Sequence, residues 1–209
     1  MARVSQEHLD ARRRQILDGA ARLFARNGFH ATSMQDVLKE VDLSAGAVYR
    51  YFSGKDELIA AIAREVLGEV RTAFEDVARQ SPPPPPDVLV GEVLSRVLGI
   101  WESLSVDAEP VLPRLIMQVW AETVRHEELA VVLAQGYEAV EQGWVRVVEA
   151  YQDAGLMRSD IPAEDAARTM IGAVQGFIAQ QALFGTTPVE MLQNGLRGLM
   201  SMGGAEPAA

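Results

Sequence analysis

From Thr32 to Lys55 the chain reads TSMQDVLKEVDLSAGAVYRYFSGK, and two short helices joined by a tight turn are the arrangement that fits it. A first helix begins at Thr32 or Ser33, where a hydroxyl can cap open backbone N–H groups and Gln35 or Asp36 stands three residues on, the spacing of a capping box. Val37, Leu38 and Val41 recur at helical spacing toward one core, leaving Lys39 and Glu40 to solvent. At Asp42 the chain must turn, and Asp tolerates positive φ better than most residues. Leu43 is expected as the buried pivot, and Ser44 caps a second helix from Ala45 to about Phe52. A pair this short has little core of its own and serves to present its second helix.

That second helix starts with Ala45, Gly46 and Ala47, followed by Tyr49, Arg50 and Tyr51. Gly costs about 1 kcal/mol relative to Ala inside a helix, so propensity does not account for Gly46. A backbone brought against a flat partner does. Tyr49, Arg50 and Tyr51 cannot all face one core, so at least two of them turn polar tips outward. Val48 and Phe52 are assigned to the core.

The runs Gly28-Phe29-His30-Ala31-Thr32-Ser33, Leu43 to Phe52 (LSAGAVYRYF) and Lys55-Asp56-Glu57-Leu58 together resemble the TetR family of bacterial transcriptional regulators. The likeness covers about residues 9–60. It implies an all-α fold, with an N-terminal three-helix helix-turn-helix DNA-binding domain at 1–57 and a C-terminal helical ligand-binding and dimerisation domain at 58–203. Under it, Ser33 to Val41 is the positioning helix and Ala45 to Phe52 the recognition helix in the major groove of an operator. Tyr49 and Lys55 would hold phosphates, and Thr32 or Ser33 would offer another phosphate a hydroxyl at a helix N-terminus. Ala45, Gly46, Ala47 and Arg50 would lie nearest the base edges, with Ser44 and Tyr51 completing the DNA-binding set. The chain departs from the family pattern at Asp42, where Gly is usual, and at Ala45, where Lys is frequent. The missing Lys removes a contact to phosphate or guanine.

The formal net charge of −10 argues against a general nucleic-acid coat protein. Its distribution is uneven: residues 1–57 carry nine Lys/Arg against eight Asp/Glu, and residues 58–209 carry ten against twenty-one. Arg12, Arg13 and Arg14, with Arg3 nearby, either follow a phosphate backbone or form a solvated helix start. That helix, about Glu7 to Arg26, stripes Ile16, Ala20, Leu23 and Phe24 along one side and stops before Asn27-Gly28.

Beyond residue 55 the pattern is helix after helix. A connecting helix from Lys55 to Gln80 is stopped by Ser81 and the prolines Pro82 to Pro86, an extended spacer of about 15 Å. Helices follow at about Val88–Leu104, Pro113–Arg125, Glu127–Ala154, Ala163–Phe184 and Met191–Met202. Thr169 to Val189 is long enough to span a membrane and carries no charge, but Gln175, Gln180, Gln181, Thr186, Thr187 and Pro188 make it a buried helix instead. The last two helices hold Gly172, Gly176, Gly195 and Gly198 and little charge, which suits a subunit interface. The resemblance agrees, since the last two helices of each subunit form the family's four-helix dimer contact. The interface residues are expected to be Met170, Val174, Phe177, Gln181, Leu192, Leu196 and Leu199. The stretch 204–209 is expected to be a disordered tail.

All three tryptophans, Trp101, Trp120 and Trp144, lie in the middle body, with Met117, Tyr137 and Phe177 in helical phase. By resemblance this body houses an unidentified small, mostly apolar effector, with Gln118, Gln142 or Gln175 supplying a polar contact. Plain core is the alternative for each aromatic. An enzyme is disfavoured, because His8, His30 and His126 are scattered and form no metal spacing, and neither a nucleophile motif nor a phosphate loop is present. A DNA-binding protein whose body only dimerises is the remaining alternative. No cofactor and no metal is expected. The absence of cysteine and the polar, charged stretch from Met1 to Arg14 fit a cytoplasmic chain with no membrane association.

Overall fold

The computed structural model describes residues 6–77, 80, 83–100, 111–185 and 187–201. Arg3, Trp101, Thr186, part of the proline spacer and the expected tail lie outside the described residues. Those described form helices and no strand: α1 (Gln6–Asn27), α2 (Met34–Val41), α3 (Ala45–Tyr49), α4 (Lys55–Val77), α5 (Pro86–Gly99), α6 (Val111–Thr123), α7 (Glu127–Asp153), α8 (Ala163–Phe184) and α9 (Val189–Ser201). The polypeptide divides into two compact units, one of 1–67 with 100–136 and one of 68–99 with 137–209. The expected domain boundary after residue 57 falls in the first turn of α4, a continuous helix that offers no linker there.

In the first unit, α1 buries Ile16, Leu17, Ala20, Leu23 and Phe24, and α2 adds Val37 and Val41. α1 ends at Gly28, whose φ of +85° suits a residue without Cβ and whose N–H donates to Phe24 O at 2.9 Å. Gly19 is required where α1 meets α2, because a Cβ there would stand 2.3 Å from Val41 Cγ1. Polar ties reinforce the packing. Gln15 Nε2 donates to Val41 O at 2.8 Å, and Arg22 Nε lies 2.9 Å from Glu40 Oε1. Leu43, the expected pivot, is only half-buried. Val41 and Val48, at 4% and 0% exposure, are the sealed residues on either side of the turn. α6 also packs on α1.

In the second unit, α5 packs on α9. Arg197 Nη2 and Nε reach Asp87 Oδ2 at 2.6 and 3.1 Å, and Gln193 Nε2 donates to Asp87 O at 3.0 Å. The Trp144 and Phe74 rings meet edge to face at 5.2 Å, with Gly143 leaving room for Phe74. The Tyr151 hydroxyl donates to Pro84 O, anchoring the end of the proline spacer on α7. Burial pushes the Tyr151 phenol up, and the nearby Asp87 carboxylate adds to the shift.

The residues expected at an interface on α8 and α9 differ in exposure. Phe177, Gln181 and Leu196 are buried within the single chain. Gln181 closes the α8–α9 turn by accepting from Thr187 N at 2.8 Å and donating to Thr187 O. Met170, Val174 and Leu192 are half-buried, and Leu199 is 70% exposed. The apolar residues turned outward on these helices include Leu183, Phe184, Met191 and Met200, none of which the spacing singles out. Cβ atoms added at Gly172, Gly176 and Gly195 would meet open space. Among the described residues no helix is long and apolar enough to cross a membrane.

Candidate nucleic-acid interface

Local chemistry fixes the helix pair. Ser33 is the N-cap of α2: its Oγ accepts from Asp36 N at 3.2 Å, and Asp36 Oδ2 accepts from Ser33 N at 2.9 Å and from Ser33 Oγ at 2.6 Å. These bonds from the Ser33 side chain and backbone hold the Asp36 carboxyl below its usual range. Asp42 takes φ 51°, ψ 49°, the left-handed turn expected of it. The N-cap of α3 is Ser44, its Oγ accepting from Ala47 N at 3.3 Å. Past α3, Ser53 N and Oγ donate to Glu57 Oε2 at 2.7 and 2.9 Å, which starts α4 and lowers the Glu57 carboxyl likewise.

α3 is shorter than expected. It ends at Tyr49 with Arg50 as its C-cap, and the chain turns through Arg50 and Tyr51 before Phe52 enters the core. Ser44, Ala45, Gly46, Tyr49 and Arg50 are exposed, while Ala47 and Tyr51 are half-buried. No atom stands within 4 Å of a Cβ built on Gly46. The helix therefore offers a nearly bare backbone edged by one phenol and one guanidinium.

Three residues expected at phosphates are engaged within the chain itself. Thr32 is 1% exposed, and its hydroxyl donates to Gly28 O at 2.8 Å, so it serves the loop. Ser33 is exposed, but its hydroxyl is turned to Asp36, whose carboxylate already occupies the positive end of α2. A phosphate arriving there would meet like charge. Lys55 Nζ donates to Phe29 O at 2.8 Å and lies 4.6 Å from the centre of the Phe29 ring, committed to the loop between α1 and α2. The arginine run is divided too: Arg13 covers the Phe52 ring at 5.4 Å, Arg14 pairs with Asp18 and Glu65, and Arg12 Nη1 donates to Gln15 Oε1.

Of the six expected effector-pocket residues, five lie among the described residues. Trp101 is outside the described residues. Met117 and Trp120, both half-buried, belong to the first unit; Tyr137, half-buried, and Trp144 and Phe177, sealed, belong to the second. Gln118 has a different task from that expected of it: its Oε1 faces Phe29 N at 3.4 Å. Among the described residues no group of three His, Asp or Glu side chains is arranged to hold a metal ion.

The sequence reading missed a cluster beside the helix pair. Glu122 of α6, 2% exposed, has Oε1 2.9 Å from His30 Nε2 and Oε2 3.1 Å from His126 Nε2. The only advance signal was a pair of isolated histidines, each at a helix boundary.

A capped positioning helix, a left-handed aspartate turn and a bare second helix edged by Tyr and Arg define a helix-turn-helix protein. Residues 16–62 match the family described as "Bacterial regulatory proteins, tetR family". The HTH-type transcriptional repressor Rv1474c of Mycobacterium tuberculosis is 46% identical over 65 residues, 31% of this chain and 35% of that protein, so that likeness is confined to about a third of either. The HTH-type transcriptional regulator YfiR of Bacillus subtilis, named as uncharacterised, is 28% identical over 183 residues, 87% of this chain and 85% of its own. Among solved structures, GusR of Salmonella enterica superposes with a TM-score of 0.72 at 25% identity, covering 96% of this chain and all of that one. Residues 16–62 are thus a helix-turn-helix segment of the tetR-family type, and the likeness to YfiR and GusR runs along most of the chain.

Proposed function

We propose that this protein is a ligand-responsive repressor that occupies a palindromic operator as a homodimer and is released by a small, mostly apolar effector. The observation that carries the reading is the outward face of α3, where Ala45, Gly46 and Ala47 clear the backbone for close approach and Tyr49 and Arg50 stand beside it. An α-helix fits the major groove of B-DNA; Arg can take guanine O6 and N7 together, and small side chains can meet thymine methyls. Tyr49 is assigned to a phosphate and Arg50 to a base edge.

The open glycines and exposed apolar residues of α8 and α9 support association through these helices. Two copies would place their α3 helices about 34–36 Å apart, one turn of DNA or a multiple of it. Half-buried Met117 and Trp120, within one unit, support an effector site in the body. A tenfold loss of operator affinity needs only about 1.4 kcal/mol of differential effector binding, well within the reach of one small ligand.

Selection of bound duplexes from a random pool tests the reading. A palindromic winner, bound by two chains and released by a compound that also quenches tryptophan fluorescence saturably, is the expected result. Absence of any enriched sequence would contradict DNA reading. A winner that no quenching compound releases would contradict only the effector.

A further inference from the structure

Nothing inside the chain calls for glycine at position 46. The residue sits within a helix, where glycine is unfavourable, and a Cβ built on it would meet no atom within 4 Å. Gly19 is the contrast, since a Cβ there would stand 2.3 Å from Val41 Cγ1. At about 100° per residue, Ala45, Tyr49, Gly46 and Arg50 fall along one side of α3 and its C-cap, with Arg50 one turn beyond Gly46. All four are exposed, and Val48 turns away from them into the core. The polar groups of this face are few. The Ser44 hydroxyl is turned to Ala47 N. Arg13, Arg14, Arg22, Arg26 and Lys55 are each engaged within the chain. Among the described residues the exposed Arg50 guanidinium has no such partner.

We infer that α3 reads each half-site through one guanine and through thymine methyl groups: Arg50 is the one side chain of the helix that hydrogen-bonds a base, and Ala45, with the bare backbone at Gly46, closes on the C5-methyls of neighbouring thymines. In the major groove every base pair shows its own donors and acceptors, but a methyl side chain can engage none of them. The apolar feature of that edge is the thymine methyl, and a helix without a Cβ at position 46 can lie directly against it. One helical turn rises about 5.4 Å, and base pairs are stacked about 3.4 Å apart. The thymines therefore lie within about two base pairs of the guanine. A reader of this kind separates thymine from cytosine by the methyl and not by the group at C4, so 5-methylcytosine stands in for thymine. This inference deepens the DNA-reading role proposed above and rests on it.

The test alters the DNA and leaves the protein as it is. In the pool-selected duplex the thymines within two base pairs of the half-site guanine are replaced by deoxyuridine, by cytosine and by 5-methylcytosine, and each duplex is titrated at fixed salt. Each deoxyuridine should weaken binding about fourfold, the effect of removing one methyl from an apolar contact. Cytosine should weaken it at least as much, and 5-methylcytosine should recover about fourfold over cytosine. Gly46→Ala supplies a second readout: its unfolding temperature should equal or exceed that of the wild type, because the added methyl meets open space in the chain, while its affinity for the selected duplex should fall about tenfold. A selected duplex with no thymine beside its guanine overturns the inference, and so does one indifferent to deoxyuridine with no recovery by 5-methylcytosine; in both cases the DNA-reading role stands. Wild-type affinity in Gly46→Ala overturns the close approach. Failure of the pool to yield any enriched sequence would sink the DNA-reading role itself, and the methyl reading with it.

Discussion

At the residue scale, the capping contacts were the most legible part of the chain. A hydroxyl three residues before a carboxylate, ahead of an apolar stripe, has one economical use, and Ser33 and Asp36 make it. What spacing does not reveal is that a satisfied hydroxyl is a spent one. Thr32, Ser33 and Lys55 stand where phosphate ligands are expected, but each is closer to a partner in its own chain. Ser33→Ala should cost about 1 kcal/mol, read as a lower urea midpoint with unchanged slope. The Asp36 carboxyl is held low by Ser33, so its contribution is present above the ordinary carboxylate range and disappears as pH falls through its folded value. The stability difference between wild type and Asp36→Asn should accordingly be full at neutral pH and vanish once pH falls below the lowered folded value of Asp36. A difference that persists there would show the cap acts through packing.

At the element scale, apolar periodicity located every helix among the described residues, and α8 from Ala163 to Phe184 falls on its expected limits. α3 stops at Tyr49, where the chain turns through Arg50 and Tyr51, yet Phe52 N still donates to Val48 O at 3.1 Å and Phe52 is buried like Val48. Faces were harder to read than limits: on α8 and α9 small and apolar residues outnumber the polar ones and occur on every side, so composition does not tell the side that packs from the side left open. Packing decided that Phe177 and Leu196 go inward and Phe184 and Leu199 outward. Close approach between elements gives the clearest consequences. Gly19→Ala places a methyl 2.3 Å from Val41 Cγ1 and should destabilise by about 1–3 kcal/mol through overpacking. Trp144→Ala, which empties the space beside Phe74, should cost about 3–5 kcal/mol. Thermal unfolding of both variants checks the order.

At the scale of the whole molecule, the reader was legible because its residues are held by local contacts within about thirty positions. The Glu122 cluster was not, since it joins residues separated by most of the first unit. No spacing rule links His30 to Glu122. The reading of an effector pocket is limited for a related reason: helical phase shows that an aromatic is buried, not what buries it. If α8 and α9 join two copies, Leu199→Glu and Phe184→Glu place charges on the contact and should halve the mass seen by sedimentation without loss of helical signal. A charged variant that stays dimeric would move the interface elsewhere.

The central claim is that the exposed face of α3 reads DNA, and the titration of one selected duplex against wild type, Tyr49→Ala and Arg50→Ala addresses it most directly. Tyr49→Ala should weaken binding to every sequence alike, as loss of a phosphate contact does. Arg50→Ala should cost about 1–3 kcal/mol on the selected duplex and relax the preference at one position per half-site. Binding indifferent to both substitutions would contradict the account and place the DNA-reading surface, if there is one, away from α3.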